Sequence, residues 1–289
     1  MMENGMRSKI CLWAILLSLL PILSYAQNQN TSQVQELYVR SGMQKQLEQL
    51  PSLVQTMFNR SVQEDEQGRK LPKALLSAMS AAAPVAFAPK KLQGTILAEL
   101  TEKLKAQDIK EVLKWLDSPF GKKCTGLEEE SFTPQAQADM ERYAAGLQAS
   151  PPTAERLKVL REFDSAVKAT DGAVDAAIAT QVALALAIIA TFPPEQQMPL
   201  DAISREMEKN RPVLEAEVRS QVLISNLYTY RSLTEAEIKL YTEFAKSPAG
   251  SRYHSVSMVA FKKAILEGAV KWGELIGNAI KQSKGNSEA

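Results

Sequence analysis

Two stretches of this chain, Leu104–Cys124 and Leu233–Tyr253, carry one pattern at a constant offset of 129 residues. A repeat of that length constrains the fold more tightly than any local signal, because whatever one stretch builds the other must be able to build as well. The offset takes Leu104 to Leu233, Ile109 to Ile238, Lys110 to Lys239, Ser118 to Ser247, Pro119 to Pro248 and Gly121 to Gly250. In the same register and without a gap it takes Trp115 to Phe244, Lys123 to Arg252, Phe132 to Phe261, Tyr143 to Trp272 and Leu147 to Ile276, so aromatic positions stay aromatic. Between the two stretches lies Ala149-Ser150-Pro151-Pro152-Thr153, a proline pair that stops one helix and starts another. The boundary between two copies is placed there: copy one over residues 27–150, copy two over 151–281, and a polar tail over 282–289 expected to fray.

Helix signals dominate both copies. Alanine, leucine, lysine, glutamate and glutamine are abundant and aromatics are sparse, which favours helix throughout. Ile109, Val112, Leu113 and Leu116 fall at i, i+3, i+4 and i+7, an apolar stripe for one buried face. Leu233-Thr234-Glu235-Ala236-Glu237-Ile238 reads as a capping box, with Thr234 and Glu237 exchanging backbone N–H bonds and Leu233 stapled onto Ile238. Met258, Phe261, Ile265, Trp272, Ile276 and Ile280 form one side of a long amphipathic helix that should supply much of the core of copy two. Val182–Phe192 is the most apolar mature stretch; it reads as a central buried helix, with a strand left open by periodicity alone. Asp201 reads as the cap of the next helix, and Pro212 should break or kink the pattern between Ile203 and Tyr230.

The repeated Ser-Pro-x-Gly corner has two readings. In the structural one, Ser118 and Ser247 are N-caps, and Pro119 and Pro248 occupy first helical positions where a missing N–H costs nothing. Gly121 and Gly250 then mark places where something packs too closely for a side chain, since glycine inside a helix costs roughly 1 kcal/mol against alanine. In the functional reading the serine is a nucleophile, or the helix start binds an anion. A nucleophilic serine needs a base, and the only histidine is His254, whose counterpart in copy one is Thr125. The corner recurs without it, so a bend between helices is the expectation, and His254 is expected on a helix surface or partly buried.

Compartment follows from the first 26 residues. Arg7 and Lys9 form a basic start, Ile10–Leu23 an apolar core and Ser24-Tyr25-Ala26 a small exit, the order of a secretory signal. Its 14-residue core is shorter than the roughly 20 residues a spanning helix needs, and Val182–Phe192 is shorter still. The expectation is an exported, periplasmic protein cleaved near Ala26, with no stable membrane span. Taking Arg7 and Lys9 from the 34 basic residues and Glu3 from the 33 acidic ones leaves both at 32. A near-neutral chain without a basic stripe does not look like a nucleic-acid partner.

The remaining chemistry is thin. Only Cys124 survives cleavage, so an intramolecular disulfide is out of reach; its counterpart is Tyr253, which suggests a buried position. One cysteine and one histidine do not make a zinc cage, and there is no phosphate-binding glycine loop, dinucleotide fingerprint or Gly-x-Ser-x-Gly elbow. No catalytic, cofactor-binding or metal-binding residue is therefore assigned. Glu128-Glu129-Glu130 reads as solvated helix charge. Ala269, Gly273 and Gly277, four apart, allow another backbone to come close, either within the chain or across a homodimer.

LTEAEIKLYTEFAKSPAGSRY, residues 233–253, resembles the bacterial envelope proteins grouped as domain of unknown function 2059, in which an acidic, aromatic-containing helix leads into Ser-Pro-x-Gly. Residues 104–124 look like a second, more divergent copy, and SGMQKQLEQLP, residues 41–51, resembles the stretch often found ahead of that domain. The resemblance implies an exported, all-helical protein and brings no activity or catalytic residues with it. The expected fold is all-α, two related helical-bundle copies packed together. The first functional expectation is a non-enzymatic protein that binds an envelope partner or maintains the cell surface. The alternative is a carrier of an apolar ligand or lipid in a cavity between the copies, and a third is a hydrolase at a Ser-Pro-x-Gly corner.

Overall fold

Residues 30–64, 73–189 and 196–285 are described by the computed structural model; residues 1–26, expected to be a signal, and residues 190–192 of the apolar stretch lie outside them. Among the described residues there are 13 helices and no strand, so the all-α class holds. In chain order they are α1 (30–40), α2 (Met43–Glu64), α3 (Lys73–Ala86), α4 (Pro89–Lys103), α5 (Ala106–Asp117), α6 (Pro119–Ser131) and α7 (Pro134–Gly146), followed by α8 (Ala154–Val167), α9 (Ala169–Ile189), α10 (Leu200–Glu208), α11 (Arg211–Thr229), α12 (Glu235–Lys246) and α13 (Pro248–Gly285). Among the described residues no helix is long and apolar enough to cross a membrane.

The ends of these helices follow local rules. Thr234 and Glu237 form the full capping box: Thr234 Oγ1 accepts from the Glu237 N–H at 3.2 Å, and Glu237 Oε2 accepts from the Thr234 N–H at 2.8 Å. Thr133 and Thr153 cap α7 and α8 with the side chain alone, accepting from the Ala136 and Arg156 N–H groups. Lys168 turns left-handed between α8 and α9, and the Asp164 carboxylate holds that turn by accepting from the Thr170 N–H and hydroxyl at 2.8 and 2.7 Å. Pro212 breaks the pattern as expected, since α10 stops at Glu208 and α11 restarts with the proline in its first turn. Asp201 does not cap: α10 starts from Pro199 without a side-chain cap, and Asp201 sits inside its first turn, paired with Arg205.

The hydrophobic core is divided in a way the order of the chain does not suggest. One cluster joins residues of α1–α5, such as Leu37, Leu47, Ile96, Ile109 and Val112, to Tyr253, Ala260, Ala264, Trp272 and Ile276 of α13. A second joins Cys124 of α6 to Val159, Leu160 and Phe163 of α8, Leu227 of α11, and Ile238 and Tyr241 of α12. The chain therefore passes from the first cluster to the second at Ser118 and back again at Ser247. A third, smaller cluster sets Val174, Ile178 and Val182 of α9 against Ile203; the apolar stretch is helical up to Ile189, with Val182 buried and Ala185, Leu186 and Ile189 partly buried against this cluster.

The long helix α13 differs from the expected face. Its most buried stripe is Ala249, Tyr253, Ala260, Ala264, Ala269, Trp272 and Ile276, while Met258, Phe261 and Ile265 are only half-buried. Small residues let α3, α4 and α9 approach closely: a Cβ on Gly268 would lie 2.5 Å from the Phe87 ring. Trp272, 1% exposed, meets Phe87 edge-on and donates its indole N–H to the Met79 carbonyl at 2.8 Å. Ala269, Gly273 and Gly277 are all buried within the chain, so in the single chain this stripe serves intrachain packing. Helix α13 also runs to Gly285, which makes residues 282–285 helical instead of part of a tail.

Candidate functional site

Both corners have the backbone the repeat predicted. Ser118 sits at φ −63°, ψ 152° and Ser247 at φ −61°, ψ 157°. Ser118 Oγ accepts from the Gly121 N–H at 2.9 Å and donates to the Trp115 carbonyl at 2.6 Å; Ser247 Oγ accepts from Gly250 at 3.1 Å and donates to Phe244 at 2.7 Å. Each hydroxyl is thus committed as donor and as acceptor within its own turn. A Cβ on Gly121 would fall 2.1 Å from the Trp115 carbonyl oxygen, and one on Gly250 2.0 Å from that of Phe244. The glycines are required because the preceding helix ends against them.

The two corners meet. Trp115 and Phe244, equivalent in the repeat, stack with ring centroids 4.1 Å apart and planes 6° from parallel. Around them the ion pairs are reciprocal: Lys123 reaches Glu237 at 2.7 Å, and Arg252, the counterpart of Lys123, reaches Asp108, the counterpart of Glu237, at 3.1 Å. The Lys123 ammonium and the capping bonds from Thr234 hold the Glu237 carboxyl down at about 2.

Beside the second corner lies a polar group that reading the sequence missed. Glu128 of α6 was expected in solvent, yet its Oε1 accepts from the hydroxyls of Tyr230 at 2.8 Å and Tyr241 at 2.9 Å. The residue as a whole is half-buried, with its carboxyl end turned inward. Burial raises the Glu128 carboxyl above its ordinary range even though both tyrosines stabilise its charged form, and it raises both phenols as well, helped by the neighbouring carboxylate. Phe163 packs on Tyr230 at 5.0 Å and on Tyr241 at 4.8 Å, closing the group on its apolar side. Glu129 instead pairs with Lys45, and Glu130 is exposed. The usable signal was helical spacing: Gly121, Cys124 and Glu128 fall at i, i+3 and i+7, so a buried cysteine counterpart of Tyr253 places Glu128 on the same inward face.

Two more reactive side chains are turned inward. Cys124 is fully buried, and burial, with Glu128 close by, pushes its thiol up to about 12, far from the thiolate a nucleophile needs. His254 lies among the Tyr241, Phe244 and Tyr253 rings, with its Nε2 buried and without a hydrogen-bond partner. Desolvation alone lowers its imidazole to about 4, so it is neutral over the whole physiological range. It does not bond to either corner serine, whose hydroxyls bond within their own turns.

Outside the core, two open clefts mix charged side chains with apolar ones. One, of about 490 Å³, lies between α2 and the α6–α7 junction and includes Lys45, Gln46, Glu129 and Phe132. The other, of about 480 Å³, runs between α4 and α13 and sets Lys91, Lys263, Lys271, Glu267 and Glu274 around Leu92, Leu266 and Val270. Among the described residues no group of three or more histidine, cysteine, aspartate or glutamate side chains is arranged to hold a metal ion. No family model, no curated protein and no solved structure matches this chain.

Proposed function

We propose that this chain is an exported, periplasmic, non-enzymatic protein of the kind grouped as domain of unknown function 2059, built from two related copies, whose role is to bind another envelope protein. The observation that carries this reading is where its reactive groups are spent. The Ser118 and Ser247 hydroxyls saturate their own helix starts, Cys124 and His254 are enclosed by apolar neighbours, and Glu128 is committed to two tyrosines. Chemistry that is used up inside the fold leaves the surface to do the work, and the surface clefts are open, with charged side chains set around apolar floors. That composition suits a protein surface better than a lipid tail, which needs an enclosed apolar wall.

The test uses the mature chain, Gln27 to Ala289, in its own envelope. A photo-crosslinker at Gln46 or Lys91, one in each cleft, is expected to capture one envelope protein reproducibly, with capture lost on charge reversal of Lys45 or Lys263. Native mass spectrometry of the same preparation decides against the reading if it finds a bound lipid mass that leaves on denaturation. Turnover in a hydrolase panel that is abolished by Ser247→Ala would overturn it as well.

A further inference from the structure

The two stretches are related by more than sequence, because most of their equivalent apolar pairs lie in opposite core clusters. Ile109 and Val112 lie in the first cluster and their counterparts Ile238 and Tyr241 in the second. The segments after the corners do the reverse: Cys124 enters the second cluster while Tyr253 enters the first, and Tyr143 and Leu147 pack on the second while Trp272 and Ile276 lie in the first. Trp115 and Phe244 touch both clusters and stack on each other. With the reciprocal pairs Asp108–Arg252 and Glu237–Lys123, this is the arrangement of an isologous interface, in which residue i meets j and the counterpart of j meets the counterpart of i.

Resting on the reading of the chain as two copies, we propose that its two halves dock as a pseudo-homodimer with exchanged arms about a local two-fold axis at the Trp115–Phe244 stack. The partner that fits each half is then also present in a second copy of this chain. Opening at the largely exposed linker 148–153 lets two chains trade halves into a reciprocal dimer that keeps the contacts of both cores. The linker suits this: its first residues form a short turn closed by Gly146, and Pro151-Pro152-Thr153 continue without helix. A short proline-containing hinge between halves with a core-sized interface is the setting in which exchange costs least.

The experiment uses two full mature chains of distinguishable mass, one carrying Arg252→Glu and the other Asp108→Lys. Each alone has a repulsive pair. In the exchanged heterodimer the two substituted positions face each other with opposite charges, and the other seam keeps Asp108 with Arg252. Refolded together in equal amounts at high concentration and weighed by native mass spectrometry, they are expected to give dimers in which the ratio of heterodimer to homodimers rises roughly threefold above the one-to-one of random pairing, in keeping with a partly exposed ion pair. Monomers alone at every concentration, or dimers in random proportion, would overturn the exchange. A single chain carrying both changes tests the axis separately. It should regain the denaturant midpoint that each change alone lowers, and if it does not, the paired-copy reading itself falls.

Discussion

The two corners share a backbone and differ in what surrounds them. At the first, Ser118 leads into α6, which stops at Ser131 before Pro134 starts α7; at the second, Ser247 leads into α13, which runs unbroken to Gly285 because the counterpart of Pro134 is Lys263. The chemistry has diverged further still. Glu128, Tyr241 and Tyr230 are a buried hydrogen-bonded group, and their counterparts are Ser257, Val112 and Thr101. The second cluster thus buries a carboxylate between phenols, while at the counterpart of Glu128 the first cluster has the small buried Ser257. Local capping rules fix the corner, whereas the buried residues around it differ between the two stretches.

The strongest way to break the comparison is at the part both corners share. Gly121→Ala and Gly250→Ala each push a Cβ to about 2 Å from a backbone carbonyl oxygen, which no side-chain rotation relieves. Each should cost about 3 kcal/mol or more in denaturant unfolding. Similar losses at the two sites would support equivalence; tolerance at one would show that its helix junction can shift.

The part they do not share comes next. Glu128→Ala strands the Tyr230 and Tyr241 hydroxyls inside the core, for an expected loss of about 2–4 kcal/mol, while Ser257→Ala at the equivalent position should lie within about 0.5 kcal/mol of the parent. Glu128→Gln keeps an acceptor for both hydroxyls and removes the buried charge, so at neutral pH it should match or exceed the parent. The sign follows from the raised carboxyl. Its stabilising contribution is complete below its unfolded value of 4.5 and is lost as pH rises through the higher folded value. The Gln variant abolishes that loss.

His254 acts in the opposite direction on the same pH axis. Its folded value of about 4 lies below the unfolded 6.5, so its contribution is complete above pH 6.5 and is lost as pH falls towards 4. The full swing is about 3 kcal/mol. His254→Phe keeps a ring among Tyr241, Phe244 and Tyr253 and should flatten the acid limb of a thermal-unfolding series between pH 6.5 and 4. Glu128→Gln should steepen that limb, because the opposing contribution is gone. An unchanged limb in His254→Phe would place the histidine in contact with solvent.

What could be read from residues alone divides along the same line. The corners, the capping box at Thr234, the break at Pro212 and the buried position of Cys124 were legible because each is set within a few residues by a steric or hydrogen-bonding rule. The inward turn of Glu128 was not, because its partners lie 102 and 113 residues away, and three consecutive glutamates look the same whether or not one of them turns inward. The arm exchange between clusters was hidden for a related reason. Hydrophobic periodicity shows that α13 has a buried face but carries no information about which helices cover it. Asp201 misled because an acidic residue in the first turn satisfies the helix dipole as well as a cap would, and the preceding Pro199 already sets the turn.

The smallest effects test the corner serines themselves. Ser118→Ala and Ser247→Ala each remove the acceptor for one glycine N–H and the donor to one carbonyl, so each should cost about 1 kcal/mol. Because both hydroxyls work within a single turn and the two turns are alike, the two losses should agree, and the double variant should lose their sum if the corners act independently. They do not sit independently, since Trp115 and Phe244, whose carbonyls the serines bond, are stacked on each other. A double-variant loss that departs from the sum by more than about 0.5 kcal/mol would therefore measure coupling between the two corners. Strict additivity would show that each cap is held by its own helix, and that the stack joins two corners already formed.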